Sequence, residues 1–341
     1  MPEKKPTDPF ISVVVAVRND NYGGDFNFRL QNFINWNTRL FEKYEIDTEI
    51  ILVNWNPVVE GIPLTECIVW PTGRKHVAYR IIEVDRANHE KFSDVEVRRQ
   101  VPLYEFLAKN VGIFRASGQF VLCTNADILF SEASIKHCAV SKLNPRTLYR
   151  AIRVDFNSRQ FSIDTFERTI ADRLTTIFLR TGSFRMVQIG SMKLKVRLAN
   201  IHDRLRRVGL RVWLMPNSDL QERLFIFKYP FNACGDFALM DRETWLSGCH
   251  YREDTRIATH TDSIHLLTCL NQGIRVEEVE DAYVFHQEHD RRFDFSSKDK
   301  DMDVMFARLL RLIKQHLDGK MLDDGNTGWG LNEVELNELW I

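Results

Sequence analysis

Apolar positions in the first half of the chain follow two alternating patterns. "FISVVVAV" (10–17) is a continuous β-branched run, too short for a helix of that character. It predicts a strand buried on both faces, as in a parallel sheet. "FNFRLQNFINWNTRLFEKY" (26–44) then places Phe28, Phe33, Trp36, Leu40 and Phe41 at helical spacing. "TEIILVNW" (48–55) and "YRIIEVD" (79–85) predict two further buried strands. "PLYEFLAKNVGIFRAS" (102–117) predicts an amphipathic helix that stops at Gly118, and "QFVLCTNADIL" (119–129) predicts the next strand. Such alternation predicts an α/β fold: an open, mostly parallel twisted sheet flanked by helices. Ligands of these sheets bind beyond the carboxyl ends of the strands.

The second half is less regular. "RTLYRAIRVDF" (146–156) predicts a strand, 163–212 predicts a helical insertion, and 223–246 has strand-like patterning around a glycine-aspartate turn. "TDSIHLLTCLNQGI" (261–274) predicts a helix that Thr261 or Asp262 caps and Gly273 stops. "RVEEVEDAYVFHQEHD" (275–290) predicts a strand ending in a histidine pair. "DMDVMFARLLRLIKQHLDG" (301–319) predicts a C-terminal helix, and "MLDDGNTGWGLNEVELNELWI" (321–341) reads as a tail.

Composition changes this picture little. The chain has 341 residues, 44% of them hydrophobic and 27% charged, with a formal net charge of −1. Length and composition suit an ordinary globular core, and the charge gives no global field for nucleic acid or an anionic membrane. Six cysteines are scattered without CxxC pairs, which favours reduced core thiols over disulfides or zinc. No run of apolar residues is long enough to span a bilayer, and "MPEKKPTDPF" has no signal-like apolar core, so a cytoplasmic protein is expected.

Candidate chemistry starts at Asn125-Ala126-Asp127, at the end of a core strand. Residues i and i+2 on an extended segment point the same way, so both side chains can face one divalent cation that offsets a bound diphosphate. A plain turn after the strand accounts for the same residue types.

The sequence resembles the glycosyltransferases of the GT-A fold, particularly family-2-like members, over most of residues 10–290. "ISVVVAVRNDN" is similar to the family's opening strand and nucleotide-binding turn, and "TEIILVNWNP" to its second strand. "LAKNVGIFRASGQFVLCTNADILF" resembles the R-N-x-G helix, A-x-G turn and D-x-D strand, with Asn125-Ala126-Asp127 in register. Residues 235–276 resemble the acceptor-side segment, and "VFHQEHD" the late histidine of the metal site. Asn125 replaces the first aspartate of D-x-D, and Thr261-Asp262 stands for the usual Glu-Asp.

The resemblance implies a single catalytic domain over 1–300, followed by a C-terminal helix and tail over 301–341. The nucleotide-binding half would span about 10–145, the acceptor half about 146–300, and the helical insertion about 163–212. It implies that Val15, Val17, Arg18, Asn19, Asn54, Asn110, Asn125, Ala126 and Asp127 meet a nucleotide-sugar donor, a UDP-sugar by expectation. Asp127, Asn125 and His286 would hold Mn or Mg. Asp262 would be the general base of an inverting transfer, although a helix N-terminus lowers a carboxylate's basicity. Gly235, Asp236 and Trp329 would meet a glycan or lipid-linked glycan acceptor. On a strand His286 and Glu288 share a face, which makes them a more natural pair than the two histidines.

The stretch 180–211 carries nine Lys or Arg against one acid, Asp203. It admits three readings: a solvated face, a patch for anionic lipid-linked acceptors with peripheral membrane contact, or a surface for acidic glycans. Nucleic acid is not expected, because no reading motif is present. "HQEH" is not H-E-x-x-H, and no G-x-G-x-x-G follows a strand, which disfavours a zinc protease and a Rossmann dehydrogenase. A non-catalytic sugar- or nucleotide-binding module and a sugar-1-phosphate nucleotidyltransferase stand as alternatives to the transferase.

Overall fold

A computed structural model of the chain describes residues 8–92, 101–140, 142–156, 158–159, 220–229, 231, 234–254, 258–289, 295–322 and 328–341. The expected helical insertion over 163–212 and its basic stretch lie outside the described residues. In chain order the elements are β1 (Ile11–Val17), α1 (Phe26–Lys43), β2 (Thr48–Trp55), α2 (Leu64–Cys67), β3 (Val77–Val84), α3 (Arg86–Lys91), α4 (Glu105–Arg115), β4 (Phe120–Asn125), β5 (Ile128–Phe130) and α5 (Glu132–Val140). Beyond these come β6 (Thr147–Phe156), α6 (Leu220–Lys228), a 3-10 turn at Cys234–Asp236, β7 (Ala238–Asp241), α7 (Arg242–Leu246), α8 (Thr261–Asn271), β8 (Arg275–Gln287), α9 (Phe295–Leu317) and β9 (Asn337–Trp340).

The strands form one open sheet in the order β5-β8-β6-β7-β4-β1-β2-β3-β9, with helices on its faces. The long ladders, β4-β1-β2-β3 and β6-β8, are parallel. Shorter antiparallel pairings join β4 to β7, β6 to β7, β5 to β8 and β3 to β9. This is the α/β fold expected, with more antiparallel pairing in its second half.

The β-branched run of β1 explains why the sheet is covered on both sides. Val13, Val15 and Val17 face a core built with α1, through Leu30, Phe33, Ile34, Leu40 and Phe41. Val14 and Ala16 face the opposite core with α4, through Ala108, Val111 and Ile113. Alternate residues of one strand therefore serve two layers. Gly112 lets α4 lie close on the sheet, since a Cβ there would fall 2.4 Å from Val14 Cγ1.

Several elements depart from the sequence reading. Phe28 is 43% exposed and lies off the buried stripe of α1. Helix α6, Leu220–Lys228, takes in the start of the stretch 223–246 expected to be strand-like. The strand expected through Ile128 breaks at Ala126–Asp127, where β5 leaves β4 to pair with β8. The tail supplies an edge strand, β9, on β3. Cys67, Cys123, Cys138, Cys249 and Cys269 are free thiols, and burial pushes Cys123 and Cys138 up to about 12. Among the described residues, no helix is long and apolar enough to cross a membrane.

Candidate functional site

Register aligns the carboxyl ends of the parallel strands on one rim. Val17 pairs with Asn54, Ala16 with Asn125, and Asn54 with Glu83. Asp127 emerges at this rim, in the turn that ends β4. The β5–β8 ladder sets Ile128 opposite His286, and the Gln287 N–H donates to the Asp127 carbonyl at 3.0 Å. This pairing brings the start of β5 and the end of β8 together.

Asp127, His286 and His289 converge there. Asp127 Oδ2 lies 3.4 Å from His286 Nε2 and 3.1 Å from His289 Nε2. One candidate ligand atom from each residue falls within 4.8 Å of the others. Burial opposes ionisation of the Asp127 carboxyl, but the two imidazoles outweigh it and hold the group well below the usual carboxylate range. Asp127 Oδ1 is buried and accepts no hydrogen bond from the described residues. A buried carboxylate oxygen left over beside two imidazoles fits a divalent cation, because such an atom is costly unless something satisfies it.

Asn125 and Glu288 differ from Asp127 and His286 in where the fold places them. Asn125 is spent elsewhere: its Oδ1 accepts from Lys109 Nζ at 2.7 Å, and its Nδ2 donates to Asp236 Oδ1 at 2.9 Å. His289 is the side chain that stands with His286 beside Asp127. Glu288 is exposed, whereas His286 and His289 face each other with ring centroids 5.3 Å apart. Strand β8 ends at Gln287, so the two-residue period that linked 286 to 288 does not run that far. Tyr22 packs edge-on against His289, with ring centroids 5.2 Å apart. Arg29 lies behind this corner. Burial pulls its guanidinium down, while the carboxylates of Asp127 and Asp25 support its charge.

A second group of carboxylates lies next to the first. Asp262 sits in the first turn of α8, after His260, whose φ of 59° opens the helix. It is therefore not the cap of a regular helix start. Its Oδ2 accepts from the Gly235 N–H at 3.2 Å, and its Oδ1 accepts from the Ser263 N–H at 2.8 Å. Burial and the nearby Asp236 carboxylate raise its proton affinity above the usual value, against those two N–H bonds and Arg150. The helix terminus does not win, which corrects the expectation of lowered basicity.

Asp236 is 3% exposed. Its Oδ1 takes the Asn125 amide and its Oδ2 the Arg153 guanidinium, at 2.9 Å each. Lys109 is fully buried and also donates to Glu105 Oε1 at 2.7 Å and to the Gly235 carbonyl at 3.3 Å. The segment Asn125–Asp127 thus joins the histidine corner to the Asp236–Asp262 corner.

The other expected residues are spread along the rim or drawn into the core. Val15 and Val17 are fully buried, so only their main chain reaches the rim. Ala126 is also buried. Arg18 donates to the Asn56 carbonyl and pairs with Asp20 at 2.5 Å, and Asn19 donates to the Ile62 carbonyl. Asn54 is buried at the end of β2, with its Nδ2 3.4 Å from Glu83 Oε1. Asn110 donates to the Tyr251 carbonyl and to Glu253 and accepts from the Tyr251 N–H, so it braces the segment before α8. Trp329 stacks on His250, with centroids 4.2 Å apart and planes 9° from parallel, and meets Phe114 edge-on. One face of its indole is therefore taken by packing.

No family model matches the sequence, and no curated protein matches it. Solved structures match it at low identity. Against S. aureus TarS 1-349 the TM-score is 0.46 with 11% identity, covering 92% of this chain and 67% of that one. TarS 1-349 is also solved in complex with UDP-GlcNAc. Of a longer TarS structure this chain spans 40%. Against GalNAc-T7 with UDP, GalNAc and Mn2+ the TM-score is 0.49 with 10% identity, covering 94% of this chain and 53% of that one. Likeness at this level carries no chemistry from those proteins to this one.

His289, Lys109 and Arg29 join the site without having been expected there from the sequence. The "HQEH" spacing is the one available signal for His289. Lys109 stands at the first position of the R-N-x-G likeness, whereas an arginine on an amphipathic helix, as Arg29 is, gives no signal.

Proposed function

We propose that this protein is a glycosyltransferase of GT-A architecture, taking a sugar from a nucleotide-sugar donor, a UDP-sugar by preference, to a hydroxyl of a glycan acceptor. One observation carries the reading. A carboxylate with two imidazoles stands at the carboxyl rim of a parallel sheet, two residues from Asn125, whose amide binds Asp236 in the turn that meets Asp262, a carboxylate of raised proton affinity. Such a rim is where open α/β sheets bind nucleotides.

The donor would lie across the ends of β1, β2 and β4, read by the main chain from Val15 to Val17 and by Arg18, Asn19 and Asn54. Asp127, His286 and His289 would hold a divalent cation, and two imidazoles favour manganese over magnesium. When bound, that ion offsets the charge of the diphosphate leaving group. Asp262 takes the proton from the acceptor hydroxyl as its oxygen bonds to the anomeric carbon. The bond from that carbon to the phosphate oxygen breaks, and the nucleoside diphosphate leaves with the electron pair. Attack opposite the leaving group inverts the centre. The raised proton affinity of Asp262 suits this role, because it is a better proton acceptor than an exposed aspartate.

The test is a melting-temperature panel of UDP-, GDP-, CMP- and dTDP-sugars with and without Mn2+. A ligand that binds only the folded state raises the midpoint. Stabilisation by one nucleotide class, enhanced by Mn2+ and lost in Asp127→Ala, is expected. Indifference to every donor would overturn the reading.

A further inference from the structure

Asn125 sits between two groups with opposite needs. The Lys109 ammonium can only donate, and it gives to Oδ1 at 2.7 Å. The Asp236 carboxylate, paired with Arg153, accepts from Nδ2 at 2.9 Å. A primary amide of this length meets both needs at once. An aspartate would set a second carboxylate oxygen against Asp236 Oδ1, and an alanine would leave both neighbours short of a partner.

The same contacts hold the turn that carries Gly235 and Asp236. Lys109 also donates to the Gly235 carbonyl at 3.3 Å, and Thr124 Oγ1 donates to the Asp236 carbonyl at 2.7 Å. From that turn the Gly235 N–H reaches Asp262 at 3.2 Å. The cation corner at Asp127 receives nothing from the Asn125 side chain, whose oxygen and nitrogen are both directed to the other side.

We propose that Asn125 is a positioning residue: its amide, clamped between Lys109 and Asp236, seats the Gly235–Asp236 turn against Asp262 and gives no ligand to the cation held by Asp127, His286 and His289. The catalytic meaning of this seat rests on the transferase reading, whereas the clamp itself does not. The geometry allows a reciprocal exchange. With Asn125→Asp and Asp236→Asn together, the new carboxylate accepts from Lys109 and from the new amide, whose oxygen accepts from Arg153. Every donor and acceptor is then satisfied again.

The experiment compares melting and Mn2+ titration of the intact chain with its Asn125→Ala, Asn125→Asp, Asp236→Asn and doubly exchanged variants. Asn125→Asp should lower the midpoint by about 3 °C or more, and the double exchange should recover most of it. Asn125→Ala should bind Mn2+ within about twofold of the parent, as independent sites do. It should also lose about tenfold or more in kcat with donor KM unchanged, since misplacement costs rate rather than donor binding. A double variant no more stable than Asn125→Asp, or a tenfold weaker Mn2+ affinity in Asn125→Ala, overturns the clamp. If the parent turns over no donor, the transferase reading falls alone, because melting and Mn2+ titration still judge the clamp.

Discussion

Oδ2 of Asp127 stands 3.1 Å from Nε2 of His289, across the gap between the end of β4 and the segment after β8. With His286 at 3.4 Å from the same oxygen, this contact defines the proposed cation corner, and Glu288 is exposed. Asp127→Ala should weaken Mn2+ binding by about 100-fold or more, because even outer-shell losses reach that scale. His289→Ala should also weaken it, while Glu288→Ala leaves it unchanged. Mn2+ titration followed by electron paramagnetic resonance separates these outcomes. Equal loss in the Glu288 and His289 variants would return the corner to the 286–288 pairing.

Asp262 gives a stability prediction with a definite sign. Burial and Asp236 raise its proton affinity in the fold, against Arg150 and the N–H groups of Gly235 and Ser263. The folded chain therefore binds this proton more tightly than the unfolded chain. Its stabilising contribution is complete below the ordinary carboxylate value, about 3.9, and is lost as pH rises through the raised one. Asp262→Asn does not titrate. The melting difference between variant and parent should therefore drift in favour of the variant from pH 4 upward and then level off. A difference that stays flat across that range would contradict the burial argument.

How much of this could be read in advance depends on the reach of each signal. Buried parallel strands write themselves as apolar runs, so β1 and β2 were legible almost to the residue. The break after Asn125 was not, because β5 is set by pairing with β8, about 155 residues away in sequence. Strand β9 is four residues long and mostly exposed, so no alternation marks it. The segment 220–228 is apolar enough for a strand, and packing against α9 decides for a helix. At the site, Asp127, His286 and Asp262 were legible as residue types at strand and helix ends. The part played by Asn125 was not, because its partners Lys109 and Asp236 come from a helix and from a distant turn.

Arg115, at the end of α4, grips the C-terminal tail. Its guanidinium donates to the carbonyls of Gly330, Leu331 and Val334 at 2.7–2.8 Å and lies 3.5 Å from Glu338. Glu338 pairs with Arg80 on the neighbouring strand β3. Arg115→Met removes the donors and leaves three carbonyls to find water, while Glu338 keeps Arg80. The cost should be about 2–4 kcal/mol in denaturant unfolding. Hydrogen exchange should rise first across 328–341. Exchange that rises uniformly over the whole chain would mean that the tail is not held by this residue.

Gly235 separates room for a ligand from room for the fold. A Cβ there would lie 3.6 Å from Asp262 Cβ, 3.6 Å from Phe106 Cε1 and 3.7 Å from Lys109 Nζ, all ordinary contacts. Gly235→Ala should therefore fold with its stability changed by about 1 kcal/mol or less, and its unfolding midpoint in urea measures that. The added methyl would stand beside the carboxylate proposed to meet the acceptor hydroxyl. Acceptor KM should rise about tenfold, with Mn2+ affinity and donor KM unchanged, because the cation corner lies beyond Asn125. A variant as stable as the parent and equally active at low acceptor concentration would show that the acceptor does not approach Asp262 over this turn.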